Sequence, residues 1–228
     1  LPTSRTISVH DFGAIGDGIS DDTQAFSNAW KQACSSSQDV VLEVPNGRTY
    51  LLKPVTFAGP CNSRVTVEIG GDIIASVNLS DYVGSGESYW LLFDGVDNLV
   101  VQGGGTIDGR GSIWWQKSCR YNKSKPCKNA PTAMWFRQCN NLDVNNLKIQ
   151  NSQQIHVDFD HCSGVRASYL TVTAPGTSPN TDGIHVSATN NIQISNCDIA
   201  TGDDCISIVT GSQQVRANGI TCGPGHGI

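Results

Sequence analysis

The sequence predicts an all-β protein built as a parallel β-helix, a solenoid of stacked coils, with an N-terminal capping α-helix. Its composition leans towards β structure, with 24 glycines and one methionine among 228 residues. Polar residues also recur at one interval, because the distance along the chain from Asp182 to Asp204 equals that from Asp204 to His226. The isoleucines that follow them by two positions keep this interval: Ile184, Ile206 and Ile228. Equal spacing is typical of a repeated unit whose corresponding residues stack above one another.

A second series of repeats extends further upstream. In each repeat an apolar residue begins a short β-rich run, and these residues are Leu99, Leu142, Val165, Ile192 and Val215. The first of their four intervals is nearly twice as long as the others, so it covers two coils. An Asn or Gly before the apolar residue indicates a recurrent turn with φ > 0 or a stacked amide ladder. An antiparallel sandwich is the alternative, but it gives no reason for polar and apolar columns that recur at nearly constant intervals.

The N-terminal region predicts a short strand, a glycine-rich turn and then one helix at about residues 21–34. Asp21 or Asp22 can cap this helix, and an apolar stripe with helical spacing marks its buried face. Because the first coil of a solenoid exposes its hydrophobic end, we expect the helix to cover it, with Phe26 and Trp30 in the core. Regular coils are then expected from about 40 to 228, within a single domain that spans residues 1–228.

Charge and cysteine content narrow the class of protein. The net charge of -5 argues against a nucleic-acid binder. No apolar run approaches the ~20 residues that cross a bilayer, so we expect no membrane span. Nine cysteines without a Cys-x-x-Cys motif indicate an oxidising compartment. Sequons at Asn78 and Asn122 fit secretion.

A basic cluster interrupts this acidic chain between residues 109 and 132. It contains five of the fifteen basic residues: Lys117, Arg120, Lys123, Lys125 and Lys128. Such a cluster can attract a polyanion, and the alternative is an ordinary solvated loop.

Paired carboxylates in one column suit the acid hydrolysis of a glycosidic bond. One carboxyl must keep a proton for the leaving oxygen, while another must stay ionised to activate water. Crowding of Asp182, Asp203 and Asp204 would raise the pKa of at least one of them. His226, one coil further on, could share their hydrogen-bond network. Taken singly, each of these residues is better explained as turn chemistry, and their common column is what favours catalysis.

The motifs resemble those of a known family. Asn180-Thr181-Asp182-Gly183, Gly202-Asp203-Asp204 and Gly225-His226-Gly227 resemble three of the four signature motifs of glycoside hydrolase family 28, the polygalacturonases. The plant branch in particular is resembled by residues 11–18 (DFGAIGDG), residues 21–26 (DDTQAF) and Ser178-Pro179.

The resemblance implies a right-handed parallel β-helix that hydrolyses α-1,4-linked galacturonan in pectin with inversion. Asp203 would be the general acid, Asp182 and Asp204 would activate the water, and His226 would tune the acid. The family also implies a disulfide between Cys205 and Cys222. We expect neither a cofactor nor a metal, and we expect a secreted, monomeric protein of the cell wall whose partner is the polyanion homogalacturonan.

One departure puts the activity of this chain in doubt. The fourth family motif, Arg-x-Lys, lies C-terminal to the histidine motif, and the sequence ends at Ile228. We therefore expect a C-terminally incomplete domain, which a further fragment would complete. A catalytically inactive pectin-binding protein is the alternative, and a pectate lyase is a third reading. Neighbouring coils would also put Asp182 and Asp204 nearer the ~5 to 5.5 Å of retaining enzymes than the ~6.5 to 9.5 Å of inverting ones.

A second group of candidate residues flanks the column. Residues 153–157 match residues 182–186 position for position, which predicts that His156 and His185 stack one coil apart. A regular strand would turn His185 away from the carboxylates, and a bulge at Gly183 would restore a common side. We therefore expect these substrate-binding residues: Asn180, His185, His156 and Gln153.

The remaining cysteines predict further cross-links. Cys119 with Cys127 would close the basic loop, and Cys34 with Cys61 would fasten the capping helix. Cys139 and Cys162 are one coil apart, and both a bridge and two buried thiols fit this spacing. Cys197 lies between apolar strand residues, which predicts a buried, unreactive thiol.

Overall fold

All strand pairs in the described part of the chain are parallel, as the stacking of coils requires. The structure is a computed structural model, and it describes residues 4–86, 88–121, 123 and 129–228. The strands form one 12-stranded and one 6-stranded sheet. The larger sheet provides two faces of the coil and the smaller sheet provides the third, so the predicted parallel β-helix is confirmed.

The first face begins with four short strands: β1 (Arg5–Ser8), β3 (Val40–Val44), β6 (Val65–Ile69) and β9 (Leu99–Gln102). The second face begins with β2 (Asp17–Asp21), β4 (Thr49–Leu52), β7 (Asp72–Ala75) and β10 (Thr106–Asp108). Four long strands then serve both faces in turn: β12 (Asn140–Gln150), β14 (Ser163–Thr173), β16 (Asn190–Ala200) and β18 (Gln213–Cys222). The third face holds β5 (Val55–Ala58), β8 (Tyr89–Asp94), β11 (Thr132–Arg137), β13 (Val157–Asp160), β15 (Ile184–Ser187) and β17 (Ile206–Ile208).

Positive φ angles mark the bends of the coil. The residues that precede the apolar residues of the repeats have φ angles between 52° and 64°: Asn98, Asn141, Gly164, Asn191 and Gln214. The side-chain amide of Asn141 also donates to Oδ1 of Asn98 at 2.7 Å. The predicted turn with φ > 0 is therefore confirmed, and it directs each long strand into the first face.

Inward side chains form one continuous apolar core. Along the third face the rings of Phe57, Phe93, Phe136 and Phe159 stack with centroid distances of 4.8, 5.0 and 5.4 Å. Phe136 and Phe159 are fully buried. Such stacks add to the burial energy because each ring meets the next in a favourable geometry.

The predicted capping helix is present as α1 (Thr23–Cys34), and a single helical turn, α2 (Ser112–Trp115), precedes the basic loop. Phe26 and Trp30 are both only 3% exposed, as predicted. Asp22 stands at the N-cap without capping the helix, because its carboxylate accepts from the amides of Ile15 and Gly16 instead. Asp21 accepts from the amide of Thr23.

Strand pairing begins earlier than residue 40. Strand β1 pairs with β3 and β2 pairs with β4, so the segment before α1 already belongs to the coil. The helix thus lies between β2 and β3, where it takes the place of a third-face strand in this first coil. Two 3₁₀ helices, Val9–Phe12 and Leu79–Ser85, lie at other corners.

Two of the predicted disulfides are present. Cys34 bonds to Cys61 and fastens α1, and Cys205 bonds to Cys222 across neighbouring coils. The thiols of Cys139, Cys162 and Cys197 are free and buried, so the first two form no bridge. The predicted pairing of Cys119 with Cys127 lies outside the described residues, because Cys127 is not among them.

Candidate active site

The three signature segments stack at the corner between the second and third faces. The amide of Gly183 donates to the carbonyl of Asp204 at 2.8 Å, and the amide of Cys205 donates to that of Gly227 at 2.8 Å. Strands β15 and β17 then pair Ile184 with Ile206. The constant interval between the motifs is therefore one full coil, and the side chains of the column project from successive layers about 4.8 Å apart.

Asp203 and His226 form the centre of the site. Nδ1 of His226 lies 3.0 Å from Oδ1 of Asp203 and 3.7 Å from Oδ1 of Asp204. The Asp203 side chain is 18% exposed, whereas those of Asp204 and His226 are 44% and 54% exposed. The backbone amide of Asp204 also donates to Asp203 at 3.1 Å, so Asp203 is the best-held of the three.

An arginine from the basic loop reaches the same carboxylate. Nη1 of Arg120 lies 3.1 Å from Oδ2 of Asp203 and 3.5 Å from Oδ1 of Asn180. The neighbouring Tyr121 donates to the carbonyl of Thr177 and so ties the loop to the corner before Asn180. Both oxygens of Asp203 therefore have a cationic or imidazole partner.

Asp182 occupies a more enclosed place in the column. Ser207 donates to its Oδ2 atom at 2.7 Å, and Nδ1 of His185 lies 2.7 Å from the Ser207 hydroxyl. Burial raises the pKa of Asp182, the hydrogen bond from Ser207 opposes this rise, and the charges of Asp203 and Asp204 add to it.

Comparison with known proteins agrees with the motifs and the fold. A sequence model described as glycosyl hydrolases family 28 matches residues 34–228. The chain belongs to glycosyl hydrolase family 28. It is 56% identical over 224 residues to polygalacturonase-2 of Solanum lycopersicum, an alignment that covers 98% of this chain and 49% of that protein. It is 59% identical over 226 residues to a polygalacturonase of Malus domestica, covering 99% of this chain and 48% of that protein.

The family 28 chain therefore spans about half the length of the curated relatives it matches. Among solved structures, a polygalacturonase from Erwinia carotovora ssp. carotovora superposes with a TM-score of 0.81 at 24% identity. That superposition covers 100% of this chain and 64% of the other. The likeness shows that the two chains share the β-helix fold.

His156, which was expected to bind substrate, lies inside the coil of the family 28 chain. His156 is fully buried, and its ring nitrogens lie 2.9 Å from the carbonyl of Asp182 and 3.3 Å from that of Thr173. Burial lowers the pKa of His156 to about 4. The prediction that it lines a subsite is wrong, because the register pairs Asp158, and not His156, with His185. The matching of residues 153–157 to 182–186 assumed a coil two positions longer than the one that forms.

Gln153 is also enclosed in the coil. It is 1% exposed, and its Nε2 atom lies 3.4 Å from the hydroxyl of Tyr82. The prediction that Gln153 binds substrate is therefore wrong as well. Asn180 remains exposed beside Arg120, and His185 remains half-buried on the outer side of the third face.

Asp158, which pairs with His185 beside the column, is a residue that the sequence analysis did not single out. It is 8% exposed, and its Oδ1 atom has no hydrogen-bond partner among the described residues. Burial, followed by the charges of Asp160 and Asp182, raises its pKa to about 7. The signal was present in the sequence, because the interval from Val165 to Ile192 equals the interval from Asp158 to His185.

The site also offers ligand atoms for a cation. One atom from each of Asp203, Asp204 and His226 lies within 4.8 Å of the others. The hydrogen bond between His226 and Asp203 already accounts for this convergence.

Across the described ranges, no helix is both long and apolar enough to span a bilayer.

Proposed function

We propose that this chain carries the catalytic face of a polygalacturonase that hydrolyses α-1,4-galacturonosidic bonds of homogalacturonan with inversion. The observation that carries the proposal is the 3.0 Å contact between His226 and Asp203, with Asp182 and Asp204 in the neighbouring positions of the column. The printed names of the plant relatives support the same activity.

In the proposed reaction Asp203 gives its proton to the leaving oxygen. Asp182 and Asp204 accept the proton of a water that attacks the anomeric carbon from the opposite side of the sugar. His226 donates to Oδ1 of Asp203, which leaves Oδ2 to carry the transferred proton. Because Arg120 contacts Oδ2, it must leave that oxygen before the proton can be transferred.

The basic loop supplies a reason for that movement. Galacturonan carries a carboxylate on each unit, and a carboxylate binds the planar guanidinium fork in a bidentate geometry. A substrate carboxylate would therefore compete with Asp203 for Arg120. Binding of the correct polyanion would then free the general acid.

The decisive experiment combines reducing-sugar release with proton NMR of the first product. Incubation with de-esterified oligogalacturonate should release reducing ends, and the new end should appear first as the β-anomer. Appearance of the α-anomer first would show retention, which the close spacing of neighbouring coils would favour. Binding without any release of reducing ends would favour the inactive pectin-binding protein instead.

The same assay separates a hydrolase from a lyase. Elimination gives an unsaturated product that absorbs in the ultraviolet, whereas hydrolysis does not. The absence of arginine from the motif columns does not exclude elimination, because Arg120 lies beside Asp203. Ultraviolet absorbance of the products therefore has to be measured directly.

The wider setting of the protein is part of the proposal. The disulfides at Cys34–Cys61 and Cys205–Cys222 support secretion, and the names of the plant relatives suggest the pectin of the cell wall as its place of action. We propose that it acts as a monomer on pectin and that a C-terminal segment with the Arg-x-Lys pair completes the site. Intact mass before and after reduction would reveal a second fragment.

A further inference from the structure

We propose that Ser207 and His185 are positioning residues that hold one oxygen of Asp182 and keep this carboxylate ionised for the attack of water. The inference rests on the proposed function, in which Asp182 activates the water. It concerns two side chains that the signature motifs do not contain.

The hydrogen bonds run in one direction along this chain of side chains. The Ser207 hydroxyl donates its single proton to Oδ2 of Asp182 at 2.7 Å. It can therefore only accept from His185, whose Nδ1 atom lies 2.7 Å away and must carry a proton. Asp182 fixes the serine rotamer, and the serine in turn fixes the tautomer of the imidazole.

The fold holds both residues on the outer side of the third face. Strands β15 and β17 pair His185 with Ser207, while their neighbours Ile184, Val186 and Ile206 point inward and are at most 1% exposed. The two polar side chains are thus cross-strand neighbours on one surface.

Gly183 lets Asp182 meet this surface. A Cβ atom at Gly183 would lie 2.4 Å from Cγ2 of Ile199 and 2.6 Å from the carbonyl of Cys205. Only glycine permits this close approach, and β15 begins one residue later, at Ile184. Asp182 is therefore outside the regular strand, which removes the opposite-face problem expected from strand alternation.

The charges around Asp182 explain why such support is needed. Burial and the neighbouring Asp203 and Asp204 raise the pKa of Asp182, while the Ser207 hydrogen bond and a charge on His185 lower it. On the far side of the column, Arg120 contacts Asp203, and His226 contacts both Asp203 and Asp204. A protonated Asp182 could not accept a proton from water. Ser207 and His185 oppose the rise in its pKa and so preserve its function as a base.

Asp158 completes the surroundings of His185 from strand β13. It pairs with His185 in the register, and burial raises its pKa to about 7. In acid solution this carboxyl is neutral, so it does not add a third negative charge beside Asp182. Ser207 remains the direct hydrogen-bond partner that links His185 to the base.

The two residues transfer no proton in the reaction. Water forms a bond to the anomeric carbon as the bond to the leaving oxygen breaks, and the bonding pair goes to that oxygen together with the proton of Asp203. The proton lost by water goes to the free oxygen of Asp182. Ser207 keeps its own proton throughout, which is why we class it and His185 as positioning residues.

The test compares Ser207→Ala and His185→Gln with the parent in two measurements. The first is a carbon-13 NMR titration of the Asp182 carboxyl in the full chain without substrate, assigned with Asp182→Asn. Loss of a hydrogen bond to the ionised form should move the titration of Asp182 in Ser207→Ala upward by about one pH unit. His185→Gln should move it in the same direction by a smaller amount.

The second measurement is the pH profile of kcat on oligogalacturonate. The acid limb should move upward by the same amount as the titration, so kcat at pH values below this limb should fall by about tenfold while KM changes less than about twofold. Ser207→Thr retains the hydroxyl and should restore both readouts. This rescue separates a lost hydrogen bond from a general loss of folding.

Ser187→Ala is the matched control. Ser187 lies on the same face and donates to Oδ1 of Asp160 at 2.9 Å, so it makes the same type of bond outside the proposed site. It should change neither readout. An Asp182 titration that does not move in folded Ser207→Ala would overturn the inference.

The two proposals fail in different ways. If the titration moves but the parent releases no reducing ends, the positioning role stands and the proposed hydrolysis fails. If hydrolysis proceeds and neither the titration nor the acid limb moves, the positioning role fails and hydrolysis stands.

Discussion

Nη1 of Arg120 lies 3.1 Å from Oδ2 of Asp203, although the two residues are far apart in the chain. The Arg120 side chain is 53% exposed, so a carboxylate from solvent can reach it. Because exposed ion pairs contribute little to stability, this pair is better understood as a replaceable contact. Substrate would replace it.

Arg120→Gln should therefore weaken substrate binding. We expect KM for de-esterified galacturonan to rise about threefold to tenfold, with kcat nearly unchanged. The effect should shrink at high salt, since exposed charges are screened. Lys31→Gln, an exposed lysine of α1 outside the basic cluster, is the control. A rise in kcat with unchanged KM would show instead that Arg120 only inhibits Asp203.

Asp203→Asn should remove the general acid that we propose. The amide keeps the shape of the side chain, but it cannot give a proton to the leaving oxygen. We expect kcat to fall by about 10²-fold to 10⁴-fold, while binding of oligogalacturonate measured by calorimetry changes little. Asp198→Asn, an exposed carboxylate of β16, should leave kcat unchanged. Near-parental turnover in Asp203→Asn would assign the acid elsewhere.

Asp158→Asn should change the pH dependence of stability. In the folded chain the pKa of Asp158 is raised to about 7, from an ordinary value of 3.8. Between these values the folded chain holds a proton that the unfolded chain has lost, so this group's stabilising contribution falls as pH rises. In urea unfolding, the free energy of unfolding of the variant should therefore exceed that of the parent by up to about 4 kcal/mol at pH 7.5, and the two should be similar at pH 4.

His156 has the opposite effect on the pH dependence of stability, in the parent and in Asp158→Asn alike. Its pKa is lowered to about 4, so the unfolded chain binds the additional proton between pH 4 and 6.5, and stability falls as pH drops. Because this contribution is the same in both, it cancels when the free energy of unfolding of Asp158→Asn is compared with that of the parent. A difference that is the same at pH 4 and pH 7.5 would contradict the assignment to Asp158.

The free thiols should be inert in the native protein. Cys139, Cys162 and Cys197 are each at most 2% exposed, and burial raises the pKa of the Cys197 thiol. We expect no alkylation of these residues by iodoacetamide until the protein is unfolded, when all three should react without reductant. Peptide mapping by mass spectrometry reads out each site. Recovery of Cys197 in a disulfide-linked peptide would show that its thiol is not free.

The parts of the fold that repeat were predictable from the sequence. The column of Asp182, Asp204 and His226 follows from a constant interval. The position of Asn141 before the apolar residue of its repeat predicts a bend, and its observed φ angle is 54°. The pairing of His185 was not predicted, because the likeness of residues 153–157 to 182–186 was followed instead of the repeat interval from Val165 to Ile192, which sets the register of this coil. Arg120 was recognised only as part of a basic cluster, since its contact depends on the path of a long loop.

The corners of the coil vary in length, whereas the strands remain in register. The coil from Val157 to Ile184 is longer than the coil from Ile184 to Ile206, yet the paired strands align residue for residue in both. An insertion at a corner therefore lengthens the loop there without moving the paired strands, and the residues they position, along the axis. A single inserted residue within β15 or β17 would instead turn His185 or Ser207 into the core. The length of the corner loops can thus vary while the separation of Asp182 from Asp204 along the axis stays fixed.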